Sequence, residues 1–83
     1  MELQTVDTWR VREGVEHEFL ALLRKHSVGG DRVFRDLNQP RTYWAPRRWK
    51  SKSQLEDWHA EFSNLVAGLV EAASTHVMTA VEE

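Results

Sequence analysis

Residues 3–12 alternate between two sides, Leu3, Thr5, Asp7, Trp9 and Val11 against Gln4, Val6, Thr8 and Arg10. With Val, Thr and Trp enriched, that period of two predicts a β-strand, and Gly14 ends it. Over 15–27 the period lengthens. Phe19, Leu22, Leu23 and His26 fall at the spacing of one helix face, and Gly29-Gly30 supplies the stop. Asp31 to Leu37 reads as a short strand, Asn38-Gln39-Pro40 as a turn, and Thr42 to Trp49 as the returning strand of a hairpin. Pro46 lacks an amide hydrogen, so a bulge or break is expected there. Ser53 with Glu56 three residues on has the form of a capping box. Behind it Leu55, Trp58, Phe62, Leu65, Val66, Leu69, Val70 and Ala73 form one apolar helical stripe, with Ser63-Asn64 as a possible interruption. Thr75 to Val81 closes the chain as a fourth strand, Val77, Thr79 and Val81 on one face and His76, Met78 and Ala80 on the other.

The order β-α-β-β-α-β predicts an α+β, ferredoxin-like domain with a four-stranded antiparallel sheet. Its 83 residues make one domain, 1–83. Two helices cover only one face of such a sheet, yet several strands carry apolar or aromatic groups on both. Four Trp, three Phe and one Tyr are more large aromatic surface than so short a chain easily buries. A homodimer with sheet faces packed together is the simplest remedy. The absence of cysteine excludes disulfides, thiolate metal sites and cysteine catalysis. Eleven Lys and Arg against thirteen Asp and Glu give a net charge of −2, which argues against a nucleic-acid partner. No apolar run approaches the ~20 residues of a membrane span, and the start lacks signal-peptide form, so a cytoplasmic protein with no membrane partner is expected. The spacing of His17, His26, His59 and His76 suggests no metal site, and nucleotide, phosphate-loop and serine-hydrolase motifs are missing.

Two stretches carry a resemblance. Val11-Arg12-Glu13-Gly14-Val15-Glu16-His17-Glu18-Phe19 is a strand end, a glycine and an acidic helix start. Trp49-Lys50-Ser51-Lys52-Ser53-Gln54-Leu55-Glu56-Asp57-Trp58-His59 is a strand-ending Trp, a polar capping segment and a helix with aromatic and His residues near its second turn. In this order, over nearly the whole chain, they resemble the antibiotic biosynthesis monooxygenase family. The resemblance implies a dimeric α/β barrel and oxygenation of anthrone-like or quinol-like aromatics without flavin or metal, hence no cofactor. The family also includes haem-degrading enzymes. The Asn, Trp and His on which that branch relies would align with Asp7, Trp58 and Gly68, so only the Trp is kept and the iron ligand is missing.

Asp7 is the first candidate catalytic residue, because a carboxylate in mid-strand is disfavoured and in an aromatic pocket could accept a proton from a phenolic or enolic substrate. The structural reading makes it the partner of Arg10, Arg35, Arg47 or Arg48 across the sheet, or leaves it exposed to solvent. His59, beside the Trp58 stripe, is a second candidate base. Arg47 and Arg48 must point to opposite faces. Arg47 is a candidate catalytic residue, stabilising an oxyanion, and Arg48 a candidate for substrate binding. Trp58, Trp9, Trp44 and Phe34 are candidate walls of the substrate pocket. Each aromatic has a structural alternative in the core or an interface, and Trp49 reads as an anchor against the second helix. The rival to an enzyme is a non-catalytic dimeric ligand-binding or interaction module on the same fold.

Overall fold

The alternation of the first ten residues becomes strand β1, Leu3–Val11, in which Thr5, Asp7, Trp9 and Val11 are buried. In this computed structural model, which describes residues 3–26, 32–79 and 81, it is followed by α1 (Glu16–Lys25), β2 (Phe34–Arg35), β3 (Thr42–Trp49), α2 (Lys52–Val66) and β4 (Val70–Met78). Among the described residues the strands form one antiparallel sheet in the order β2-β3-β1-β4. This is the expected ferredoxin-like domain. β1 and β3 pair from Leu3 opposite Trp49 to Arg10 opposite Thr42, so Asp7 faces Ala45 and Trp9 faces Tyr43. Trp9, Val11, Tyr43 and Ala45 lie under the helices with Phe19, Leu23, Phe62 and Val66. The Phe19 ring sits among those of Trp9 (5.5 Å), Tyr43 (5.9 Å) and Phe62 (6.1 Å).

Several boundaries differ from the sequence-based expectations. β2 is only two residues long. Asp36 and the residues after it instead form a turn, Asp36 Oδ1 accepting from the amides of Asn38 and Gln39. β3 runs through Pro46 without a register shift. β2 pairs only with Tyr43 and Trp44, so β3 has an uncovered side at Pro46, where a missing donor is tolerated. The irregularity falls instead between Arg10 and Val11 on the β4 side of β1. Gly14 has a φ of 88°, which explains the glycine at the turn into α1. The Gly29-Gly30 stop lies outside the described residues; the last residue of α1 is Lys25.

The cap of α2 is Ser51, not Ser53: its side chain accepts from the Gln54 amide at 3.2 Å, while Gln54 Oε1 accepts from the Lys50 amide. α2 runs unbroken through Ser63-Asn64 and stops at Val66. The apolar stripe read as continuing to Ala73 is thus divided: Leu69 lies in the connection, and Val70 and Ala73 belong to β4. β4 starts earlier than Thr75 and ends at Met78; of its expected final residues, Ala80 lies outside the described ones. It is the free edge of the sheet beside β1 and is exposed beyond Val70. No helix among the described residues is long and apolar enough to cross a membrane.

Candidate functional site

A helix lying over a sheet brings together side chains distant in sequence. Leu55, Phe62 and Val66 form the buried line of α2, and one turn inside it Trp58 and His59 flank that line, both half-buried. A residue is displaced by about 100° from its neighbour on a helix, so the two rings diverge while both stay near the sheet. Beneath them Asp7 rises from β1, with Thr75 directly opposite it on β4.

These groups meet. His59 Nε2 lies 2.9 Å from Asp7 Oδ1, and the Thr75 hydroxyl donates to the same oxygen at 2.5 Å. Asp7 is only 2% exposed. An ionised carboxylate can only accept, so with Asp7 ionised Nε2 carries the proton and Nδ1 is left as the lone-pair nitrogen of a neutral ring. Asp7 Oδ2 is buried with no hydrogen-bond partner among the described residues. Beside the trio is a partly open cavity of about 240 Å³, lined by Asp7, His59 and Thr75 and by the aromatic rings of Trp9, Trp58 and Phe62.

Trp58 is held from several sides. Its indole N–H donates to the carbonyl of His26 at the end of α1 at 2.7 Å. Phe62 stacks with it at 4.8 Å, and the Arg47 guanidinium carbon lies 4.1 Å from its ring centre. Arg47 is itself 2% exposed. Trp49 anchors the same region as expected, 5.8 Å from Trp58 and donating its indole N–H to Thr5 Oγ1 at 2.8 Å.

The residues singled out from sequence therefore divide. Asp7, His59, Trp58 and Trp9 converge on the cavity, and Arg47 contacts its wall. Trp44, Phe34 and Arg48 do not converge there. Strand alternation puts them on the opposite, helix-free face, where Phe34 pairs with Trp44 and Arg48 with Gln4. The Trp44 indole N–H donates to Asp36 Oδ2 at 3.0 Å. The side-chain hydrogen bonds of Asp7 are to an imidazole and a hydroxyl. Nothing in the sequence alone marks Thr75; the signal for it is the register that sets residue 75 opposite residue 7, which exists only once β1 and β4 pair. Among the described residues no three His, Asp or Glu side chains gather as metal ligands.

No protein-family model and no curated protein matches this sequence. Solved structures do match it in shape. A Chloroflexus aurantiacus J-10-fl protein, provisionally described as an antibiotic biosynthesis monooxygenase, has a TM-score of 0.79 at 15% identity, over 100% of this chain and 96% of that one. A variant of SnoaB, a cofactor-independent oxygenase from Streptomyces nogalater, has a TM-score of 0.73 at 16% identity, over 99% and 95%. A NIPSNAP family protein from Agrobacterium tumefaciens has a TM-score of 0.70 at 14% identity, over 99% and 95%. The chain thus has, along its whole length, the fold found in antibiotic biosynthesis monooxygenases.

Proposed function

We propose that the protein is a cofactor-independent oxygenase of small electron-rich aromatics, anthrone-like or quinol-like, with His59 as the base and Asp7 as its orienting partner. The observation that carries this reading is the 2.9 Å contact between a buried carboxylate and an imidazole at the edge of an aromatic-walled cavity. A carboxylate that receives one ring N–H fixes the tautomer and favours the imidazolium formed when the other nitrogen takes a proton. The fold shared with SnoaB supports the same reading.

The chemistry is that of a phenol, or its keto tautomer, with a C–H opposite the oxygen or, in a hydroquinone, next to it. His59 takes the O–H proton. The resulting anion passes one electron to O2, radical coupling forms a C–O bond at that ring carbon, and the peroxide takes the proton back from His59. The hydroperoxide then breaks its O–O bond as that carbon loses its hydrogen, giving a quinone carbonyl and water. One oxygen atom enters the product, one leaves as water, and no external reductant is consumed. Trp58 and Trp9 hold the ring, and Arg47, against Trp58, adds positive potential that favours the anion. Oxygen uptake with a panel of anthrones, naphthols and hydroquinones, with metals chelated and 18O2 as oxidant, tests this. One labelled atom per product molecule is expected. Binding without uptake across the panel would overturn the reading in favour of a ligand-binding module.

The working form is proposed to be a homodimer joined through the helix-free face. That face carries Val6, Thr8 and Pro46, half-buried, with Trp44, Phe34 and Met78 exposed. A sheet face with this much apolar surface is the kind that monomers rarely leave open.

A further inference from the structure

The size, charge and polarity of the cavity narrow the ligand further. Its volume, about 240 Å³, is below the roughly 300–1,000 Å³ of pockets that enclose drug-sized ligands. Its lining combines the aromatic side chains of Trp9, Trp58 and Phe62 with the polar groups of Asp7, His59 and Thr75. The lining residues include one carboxylate and no lysine or arginine; the charge of Arg47, against Trp58, can favour a phenolate formed in the cavity, but Arg47 is not part of the lining and offers an acid group no direct contact. An acid group on the ligand would enter beside the Asp7 charge without a cation of the lining to receive it. With Asp7 ionised, the Nε2 proton of a neutral His59 is committed to the carboxylate, and the ring then offers Nδ1 as an acceptor, not a donor, to what binds.

From these features we infer that the cavity selects neutral phenols of one or two fused rings, held by an O–H donated to His59 Nδ1, and discriminates against three-ring and acid-bearing aromatics. This rests on the reading of the cavity as the ligand site and narrows the substrates proposed above to their one- and two-ring members, setting aside the three-ring anthrones.

Binding measured calorimetrically without oxygen separates selection from turnover. The probes are 1-naphthol, 1-methoxynaphthalene, 1-hydroxy-2-naphthoic acid and anthrone. Binding of 1-naphthol is expected at least tenfold tighter than of the other three. Ala73→Leu on β4 and Ser63→Leu on α2, both at exposed lining positions, are expected to weaken it at least tenfold while the circular dichroism spectrum is kept. The inference is overturned if 1-naphthol does not bind at millimolar concentration, if the methyl ether, the acid or anthrone binds as tightly, or if neither leucine weakens binding in a folded protein. Selective binding of 1-naphthol with no oxygen uptake in air would support this inference and overturn the oxygenase reading. Uptake with anthrone but tighter binding of anthrone than naphthol would do the reverse.

Discussion

At the scale of single residues, Asp7 shows how one position can be costly and useful. A carboxylate in mid-strand under a helix loses its water, and two donors, the His59 imidazole and the Thr75 hydroxyl, compensate on one oxygen. Removing either donor takes a hydrogen bond from the buried Asp7 carboxylate, and removing Asp7 takes the acceptor from both donors. Thr75→Val is therefore expected to cost about 1 kcal/mol and Asp7→Ala roughly 1–3 kcal/mol. The double variant should cost less than the sum, because the valine has no hydroxyl left to strand. Urea unfolding of the four proteins checks this, and strict additivity would show that the hydroxyl and carboxylate do not interact. Trp58 is half-buried but touched on several sides. Trp58→Ala should cost about 3 kcal/mol, a large share of a total of roughly 5–15 kcal/mol. An unchanged thermal midpoint would place Trp58 outside the packed structure.

At the scale of elements, the caps and turns make separable predictions. Ser51 caps α2, so Ser51→Ala should cost about 1 kcal/mol, whereas Ser53→Ala, within the helix and exposed, should change stability little. Comparable losses, or a larger one at Ser53, would move the helix start. In the turn after β2 the Asn38 amide holds the Asp36 carboxyl below its usual range, with the Trp44 indole and the Gln39 amide acting in the same direction. A lowered folded pKa gives a contribution fully present above the unfolded pKa and lost as pH falls through the folded one. An NMR titration of Asp36 should thus show a midpoint below that of a free side chain; a normal or raised midpoint would break the turn assignment. The same elements show why sequence reading went as far as it did. Alternation in Leu3–Val11 and Thr42–Trp49 shows which residues share a face and that Arg47 and Arg48 must part, but which face lies beneath the helices is known only from the packing that buries Asp7 and Arg47 and leaves Arg48 exposed. Alternation could not place the end of α2. Leu69, Val70 and Ala73 happen to continue the helical spacing, while the chain turns at Ala67-Gly68 and enters a strand. Pocket walls were harder still. Trp44 and Phe34 have the chemistry of a wall, but the pairing of β2 with β3 puts them on the other side of the sheet.

For the whole molecule, the sheet separates two jobs: its helix-covered face holds the Asp7–His59 pair, and its open face is proposed to hold a second copy. Sedimentation should give the mass of a dimer, and Trp44→Glu, which buries charge in that interface, should shift it to monomer without loss of secondary structure. A native protein that stays monomeric at high micromolar concentration would contradict the face-to-face assembly. The central claim, that His59 oriented by Asp7 is the base of an oxygenation, is tested most directly by the initial rate of oxygen uptake with 1-naphthol in chelator, comparing the native protein with His59→Gln. Native uptake is predicted, with a loss of at least a hundredfold in the glutamine variant while the fold is kept, in line with the ~10²–10⁴-fold contribution of a positioned base. Uptake by the variant at the native rate would contradict the account.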